Sequence, residues 1–234
     1  MDDAGSEPIR TPRMHSGGKL SFRRRVQKLS ETDVGPVPLL VGGEDPPPLA
    51  ELIPDGFSRV EIEVGPGKGA YLLAATEARP ETFLLGIEAA HAYAEFAATR
   101  LAAAQRTNGF VLVDNAKLFL ADRVEPGSLD RLHVYYPDPW PKRRHRNRRF
   151  FTEDVLAIVH RALKPGGWLL IATDNPGYAG QIAMLVGASP LFHRDEDEEA
   201  RLLGGPPGHG FTPTSFERKY VEQGRVLRRY AFRT

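Results

Sequence analysis

The sequence predicts an α/β fold, a mostly parallel twisted sheet with helices on both faces, and three observations carry that prediction. From residue 55 onward short apolar segments alternate with longer amphipathic ones, the pattern of strands buried between two helical layers. A glycine-rich turn, "EVGPGKGA", stands where the first strand of that series gives way to a helix, the position at which glycines let a nucleotide-like ligand approach the backbone. The chain of 234 residues, 41% of them hydrophobic, is long enough to bury a sizeable core in one domain.

The elements follow in order. Residues 1–50 are rich in Pro, Gly and charge, end in "GGEDPPPL", and read as a flexible N-terminal arm. Residues 55–234 form the domain. In it "RVEIEV" is a strand, "GAYLLAATEA" a helix, "TFLLGIE" a strand, "HAYAEFAATRLAAAQ" a helix and "GFVLVDN" a strand. A fourth strand, "RLHVYY", precedes a helix from about Arg148 to Leu163, the turn "KPGG", and a fifth strand, "WLLIATD". A short helix over about Gly177 to Val186 follows; "DEDEEARLLGGPPGHGF" reads as a surface loop and "RVLRRYAF" as a last strand. Tyr135 and Tyr136 are expected on opposite faces of the sheet, because side chains alternate along a strand.

Composition narrows the function classes. With no cysteine, disulfides, thiolate nucleophiles and Cys-ligated zinc are excluded. The first residues, "MDDAGSEP", are acidic where a secretory signal is basic, and no apolar run approaches the roughly 18 residues of a membrane span; the expectation is a cytoplasmic protein with no membrane partner. The net charge of +1 conceals segregated blocks. Lys142, Arg143, Arg144, Arg146, Arg148 and Arg149 form one basic cluster, Arg23, Arg24, Arg25 and Lys28 another, and Asp195 to Glu199 an acidic run; a polyanion feels these local fields. The seven histidines show no metal-ligand spacing, so no metal is expected. G-x-S-x-G and Walker motifs are also missing from the sequence.

At the glycine turn, Gly65, Gly67 and Ala70 satisfy the G-x-G-x-x-G/A pattern, and Glu88 stands about 20 residues on, where it can hold a ribose. Pro66 removes an amide donor that a pyrophosphate would need, and Glu63 would repel one. S-adenosylmethionine carries an ammonium, a sulfonium and a ribose but no phosphate, so acids at Glu63 and Glu88 match its polarity; the bland alternative is two solvated strand-end acids. "EVGPGKG" and "LLGIE" resemble the first two motifs of the Rossmann-like class I methyltransferases. That resemblance implies S-adenosylmethionine as cofactor, Glu63, Gly65, Gly67 and Glu88 as cofactor-binding residues, and an antiparallel C-terminal strand. It further brings Asp114 and Asn115 to the adenine edge, Asn115 being the better candidate, unless both only cap the following helix.

The fourth strand ends at Pro137, so Asp138 emerges at the carboxyl edge of the sheet, where ligands bind in open α/β folds. Prolines 137, 139 and 141 stiffen the segment. The bases beyond Trp140 suit a partner with many phosphates, a nucleic acid rather than a small substrate. "PDPWPKRRHRNRR" resembles the signature of bacterial tRNA (guanine-N7)-methyltransferases, and "ATD" and "TSFE", Thr214 to Glu217, resemble two later segments of that family, the second usually T-K-F-E. The resemblance spans roughly residues 55–234. It implies tRNA as partner, the variable-loop guanosine as target, and Thr214, Ser215, Phe216 and Glu217 as a substrate segment in which Ser215 replaces the usual Lys.

Guanine N7 has a free lone pair, so its methylation needs placement rather than a general base. A carboxylate near the base is worth more once positive charge has moved onto it. Asp138 is the candidate catalytic residue, accepting from the guanine N1 and N2 edge, with Asp174 and Glu217 lining the pocket and Lys142 on a neighbouring phosphate. Trp140 has two readings, stacking on an extruded base or packing under its loop. The rival functions are a methyltransferase acting on another RNA or on protein, and a noncatalytic RNA-binding protein on the same scaffold. Both a monomer and a homodimer are compatible with the sequence.

Overall fold

Polar and apolar residues alternate along Arg59–Val64, and the strand they form is the middle of the sheet. The computed structural model describes residues 37–42, 45–140, 142–204 and 223–234. Eight strands are described: β1 (Leu39–Val41), β2 (Arg59–Val64), β3 (Thr82–Glu88), β4 (Gly109–Val113), β5 (Leu129–Tyr135), β6 (Leu163–Thr173), β7 (His193–Arg194) and β8 (Arg228–Arg233). They lie in the order β1-β4-β3-β2-β5-β6-β8-β7. The first six in that order pair in parallel, whereas β8 is antiparallel to both β6 and β7. Chain order therefore reverses between β2 and β5, the switch point of a doubly wound sheet.

Helices cover both faces. On one, α2 (Ala70–Ala78), α3 (His91–Ala103) and α7 (Glu196–Gly204) bury Tyr71, Leu72, Ala97, Leu101 and Leu202 against Leu84, Val111, Leu170 and Ala231. On the other, α4 (Ala116–Asp122), α5 (Glu153–Ala162) and α6 (Pro176–Gly187) bury Phe119, Val159 and Ile182 against Ile62, Leu85, Leu132 and Val134. Each strand turns alternate side chains to alternate layers, so β3 and β4 read as nearly unbroken apolar runs, while β2 and β5 carry polar residues that pair with one another beneath the glycine turn.

One element lies within the segment expected as an arm and a second begins in it. β1 extends the sheet beyond β4, and the short α1 (Leu49–Leu52) buries Leu49 completely. An exposed sheet edge and a core position of the right size suffice to order these few residues; residues 1–36 lie outside the described ones.

Four local expectations are corrected. The acidic run Asp195 to Glu199 is not a surface loop: it caps and opens α7, with Asp195 Oδ1 accepting from the Glu198 amide at 2.8 Å. Acids at a helix N-terminus interact favourably with the macrodipole. Glu199 is buried there, accepting from Arg194 at 2.9 and 3.0 Å and from the Ala231 amide at 3.0 Å. The helix expected from about Arg148 begins at Glu153, and Arg143–Arg148 form a 3-10 turn. "KPGG" lies within β6, whose pairing with β5 shifts register between Leu129 and Arg131. Finally, Tyr136 packs against the same core layer as Tyr135 rather than the opposite one. Its φ of 53° breaks the strand alternation at that residue.

Candidate active site

The glycine turn joins β2 to α2 across three residues with left-handed backbone: Gly65, Gly67 and Gly69 have φ of 65°, 56° and 65°. The turn closes through the Gly69 amide, which donates to the Pro66 carbonyl at 2.9 Å. Close packing requires glycine around it: a Cβ on Gly69 would lie 2.8 Å from Ala97 Cβ, and one on Gly86 would lie 2.9 Å from Pro66 Cγ and 2.4 Å from Leu72 Cδ1. Pro66 therefore seats the turn on β3 as well as lacking a donor. Arg100 on α3 holds the turn from outside, donating to the Lys68 carbonyl at 2.6 Å.

Two carboxylates line this turn. Glu88, at the end of β3, accepts from the Gly67 amide at 3.0 Å and from the Ala90 amide at 2.9 Å. Glu63 is buried, and its Oε2 has no hydrogen-bond partner among the described residues. Burial pushes the Glu63 carboxyl up to about 8, opposed by a hydrogen bond from the Leu72 amide and reinforced by the Glu88 charge. Burial also raises Glu88; the Ala90 and Gly67 amides oppose this, and the charge of Asp138 adds to it. Two neighbouring acids that raise one another's cost of ionisation, one of them with an unsatisfied buried oxygen, suit a cation.

Asn115 caps α4, its Oδ1 accepting from the Lys117 amide at 3.0 Å, and the preceding Asp114 accepts from the Asn115 amide at 2.6 Å. These residues follow β4, so they share the carboxyl edge with Glu63 and Glu88.

Asp138 stands in the loop after β5, across the switch point from β2, and is exposed. Although the residue is exposed overall, desolvation by the protein around it raises its carboxyl. The loop is bracketed by aromatic residues in left-handed conformation, Tyr136 with φ 53° and Trp140 with φ 38°, a strained arrangement of the kind that clusters at functional sites. Trp140 carries the Arg148 guanidinium 5.1 Å from its ring centroid and His145 edge-on at 5.6 Å, which favours packing beside the basic turn over a free stacking face. Lys142, Arg144 and Arg148 are exposed on that turn. Arg149 is not part of the free cluster, being bonded back into the protein.

Asp174, after β6, accepts from Arg225 at 2.6 Å. The structure thus brings Glu63, Gly65, Gly67, Glu88, Asn115, Asp138 and Asp174 to one edge. Thr214, Ser215, Phe216 and Glu217 lie outside the described residues. Among the described residues no cluster of His, Asp and Glu could hold a metal, and no helix is long and apolar enough to cross a membrane.

A buried polar network beneath the turn has no counterpart among the sequence-derived site residues. Glu61 Oε2 accepts from Arg79 at 2.8 Å and meets His133 Nε2 at 2.8 Å, while His133 Nδ1 lies 2.9 Å from Tyr135 Oη. Arg79 also donates to Tyr71 Oη at 3.0 Å. Burial pushes His133 down to about 4, so its ring is neutral at pH 7, donating from Nε2 to Glu61 and accepting at Nδ1 from Tyr135. Burial works to raise Glu61, but the His133 hydrogen bond and the neighbouring cations outweigh it and hold the carboxyl ionised. The signal was in the sequence: Glu61 and Glu63 alternate in β2, as do Arg131, His133 and Tyr135 in β5, on one face of paired strands.

A doubly wound sheet with a glycine turn, two strand-end acids and an acidic loop across the switch point defines a class I methyltransferase scaffold. A family model described as "Putative methyltransferase" matches residues 58–229. The tRNA (guanine-N(7)-)-methyltransferase of Azorhizobium caulinodans is 35% identical over 78% of this chain and 79% of that protein. The protein of the same name from Rhizobium johnstonii is 32% identical over 80% and 79%. The Rhodopirellula baltica enzyme of that name is 45% identical over 51% of this chain, a match spanning about half of the relative's length, 46%. The chain belongs to the bacterial tRNA (guanine-N7)-methyltransferase family.

Proposed function

We infer that the protein transfers the methyl group of S-adenosylmethionine to N7 of guanine in tRNA, with the variable-loop guanosine as the proposed target. The observation that carries this is the position of Asp138, near enough for its charge to raise the Glu88 carboxyl and followed at once by the exposed bases Lys142, Arg144 and Arg148. One short segment thereby joins a cation-seeking crevice to a phosphate-seeking surface.

The crevice fits the cofactor. Among the described residues nothing lies within 4 Å of where a Cβ on Gly65 would stand, and Glu63 offers a buried oxygen with no partner there. Glu63 would take the ammonium of the amino-acid end, Glu88 the ribose hydroxyls and Asn115 the adenine edge. When bound, S-adenosylmethionine supplies an electrophilic methyl on a sulfonium centre.

The remaining work belongs to the protein. Lys142 holds a phosphate beside the target, and Asp138 accepts from N1 and N2 of the guanine, turning its N7 toward the donor. As N7 becomes alkylated the purine gains positive charge, so the Asp138 carboxylate binds the transition state better than the ground state. Asp174 and the Thr214–Glu217 segment complete the proposed substrate pocket. In the present arrangement Arg225 neutralises Asp174, so a guanine that uses Asp174 must displace or share that partner.

The experiment is incubation with unmodified tRNA and labelled donor, followed by nucleoside analysis and mapping. The expected product is N7-methylguanosine at one position in the variable loop. Label on another base or on protein would assign the scaffold to the rival activities, and an absence of cofactor binding would assign it to noncatalytic RNA binding.

A further inference from the structure

Arg149 ends the basic run in sequence, yet its guanidinium turns back into the protein. Nε donates to the Pro139 carbonyl at 2.7 Å and one terminal nitrogen to the Trp140 carbonyl at 3.2 Å. The other terminal nitrogen donates to Gln181 Oε1 on α6. The guanidinium carbon lies 5.3 Å from the ring centroid of buried Tyr178 on the same helix. From the other side, Lys117 on α4 donates to the Arg149 carbonyl at 2.5 Å.

The two carbonyls it grips belong to the residues immediately after Asp138. That backbone is strained, with Tyr136 and Trp140 both at positive φ, and such a conformation persists only where surrounding contacts over-determine it. Only a planar fork can reach three acceptors while lying on an aromatic ring; a lysine ammonium cannot reproduce it.

We propose that Arg149 is a positioning residue, whose guanidinium fork locks the loop carrying Asp138 onto α6, and that its charge does not serve the nucleic acid. The proposal rests on the reading of Asp138 as the group that orients guanine. It divides the basic run in two, with Lys142, Arg144 and Arg148 presenting charge outward and Arg149 shaping the loop.

The test compares Arg149→Lys and Arg149→Gln in the full-length protein. Both variants are expected to lose kcat on the order of 100-fold, the scale of a small misplacement of a reacting group, with KM for donor and for tRNA unchanged. The salt dependence of tRNA binding is expected to be unchanged in both. In a Trp168→Phe background, which leaves Trp140 as the sole tryptophan, both variants should make Trp140 fluorescence more accessible to acrylamide. Near-normal kcat in Arg149→Lys, or a salt slope reduced by about one in Arg149→Gln, would overturn the proposal, as would unaltered quenching. Quenching is read without turnover, so a protein that never methylates tRNA would defeat the proposed function while the loop lock is still decided. Should the Arg149 variants not fold, Gln181→Leu, which removes only the α6 acceptor, is expected to change kcat and quenching in the same directions, and no change in either would overturn the proposal.

Discussion

The Gly67 amide donates to Glu88 Oε2 at 3.0 Å, so the turn after β2 and the end of β3 are one hydrogen-bonded unit. The second oxygen of Glu88 is fixed by the Ala90 amide. Its carboxylate is thereby preorganised at the carboxyl edge, and the flexible Gly67 is fixed with it.

Glu88→Ala removes both this brace and the proposed ribose acceptor. Hydrogen bonds to charged groups contribute roughly 1.5–3 kcal/mol, so affinity for S-adenosylmethionine should fall by about 10- to 100-fold. Isothermal titration calorimetry checks this, and unchanged affinity would remove Glu88 from the cofactor site.

Glu63 makes cofactor binding depend on pH. With its carboxyl raised from 4.5 to about 8, the ligand-free protein holds a proton that the unfolded chain has released. Stability from that proton is complete below about pH 4.5 and is lost as the pH rises through about 8. A bound cation favours the carboxylate, so binding should release a proton near neutral pH, and affinity should rise by up to about tenfold per unit as the pH approaches about 8 and level off above it. Calorimetry in buffers of different ionisation enthalpy measures the release. Glu63→Gln should abolish it.

Much of the fold was legible because both faces of the central strands are covered, which leaves the apolar runs of β3 and β4 plain against the helical segments beside them. Turn chemistry did the same for the site: Gly65, Gly67 and the Pro137–Asp138–Pro139 segment locate the carboxyl edge from their residue types alone. What escaped depends on distant partners. Asp195 to Glu199 looks like a solvated loop until Arg194 and the Ala231 amide are brought to Glu199. Arg149 cannot be told from Arg148 by sequence, since only the approach of α6 decides which of the two is turned inward. Tyr136 was misplaced because a positive φ in a non-glycine residue leaves no local mark.

The Glu61, Arg79 and His133 network should act on stability before chemistry. Arg79→Ala leaves the ionised Glu61 buried without its principal cation, and breaking such a pair costs about 3–5 kcal/mol. Denaturant unfolding should show that loss. An effect below about 1 kcal/mol, the ordinary worth of an exposed pair, would show that Arg131, whose Nε lies 3.7 Å from Glu61 Oε1, compensates.

The exposed bases should act on affinity in the way phosphate-binding side chains do. Neutralising Lys142 and Arg144 together is expected to weaken tRNA binding about uniformly across sequences and to lower the salt slope by roughly one for each phosphate no longer neutralised. Filter-binding isotherms over a range of salt measure it, and an unaltered slope would show that the turn does not bind the RNA backbone.

The most direct measurement is single-turnover methyl transfer by Asp138→Asn with saturating tRNA. The carboxylate is placed to stabilise charge that appears only as the methyl is transferred, so the rate should fall by about 100-fold or more while the dissociation constant for S-adenosylmethionine stays unchanged. A variant that transfers methyl at the wild-type rate would contradict this mechanism, because nothing else in it explains why an acid stands on that strained loop.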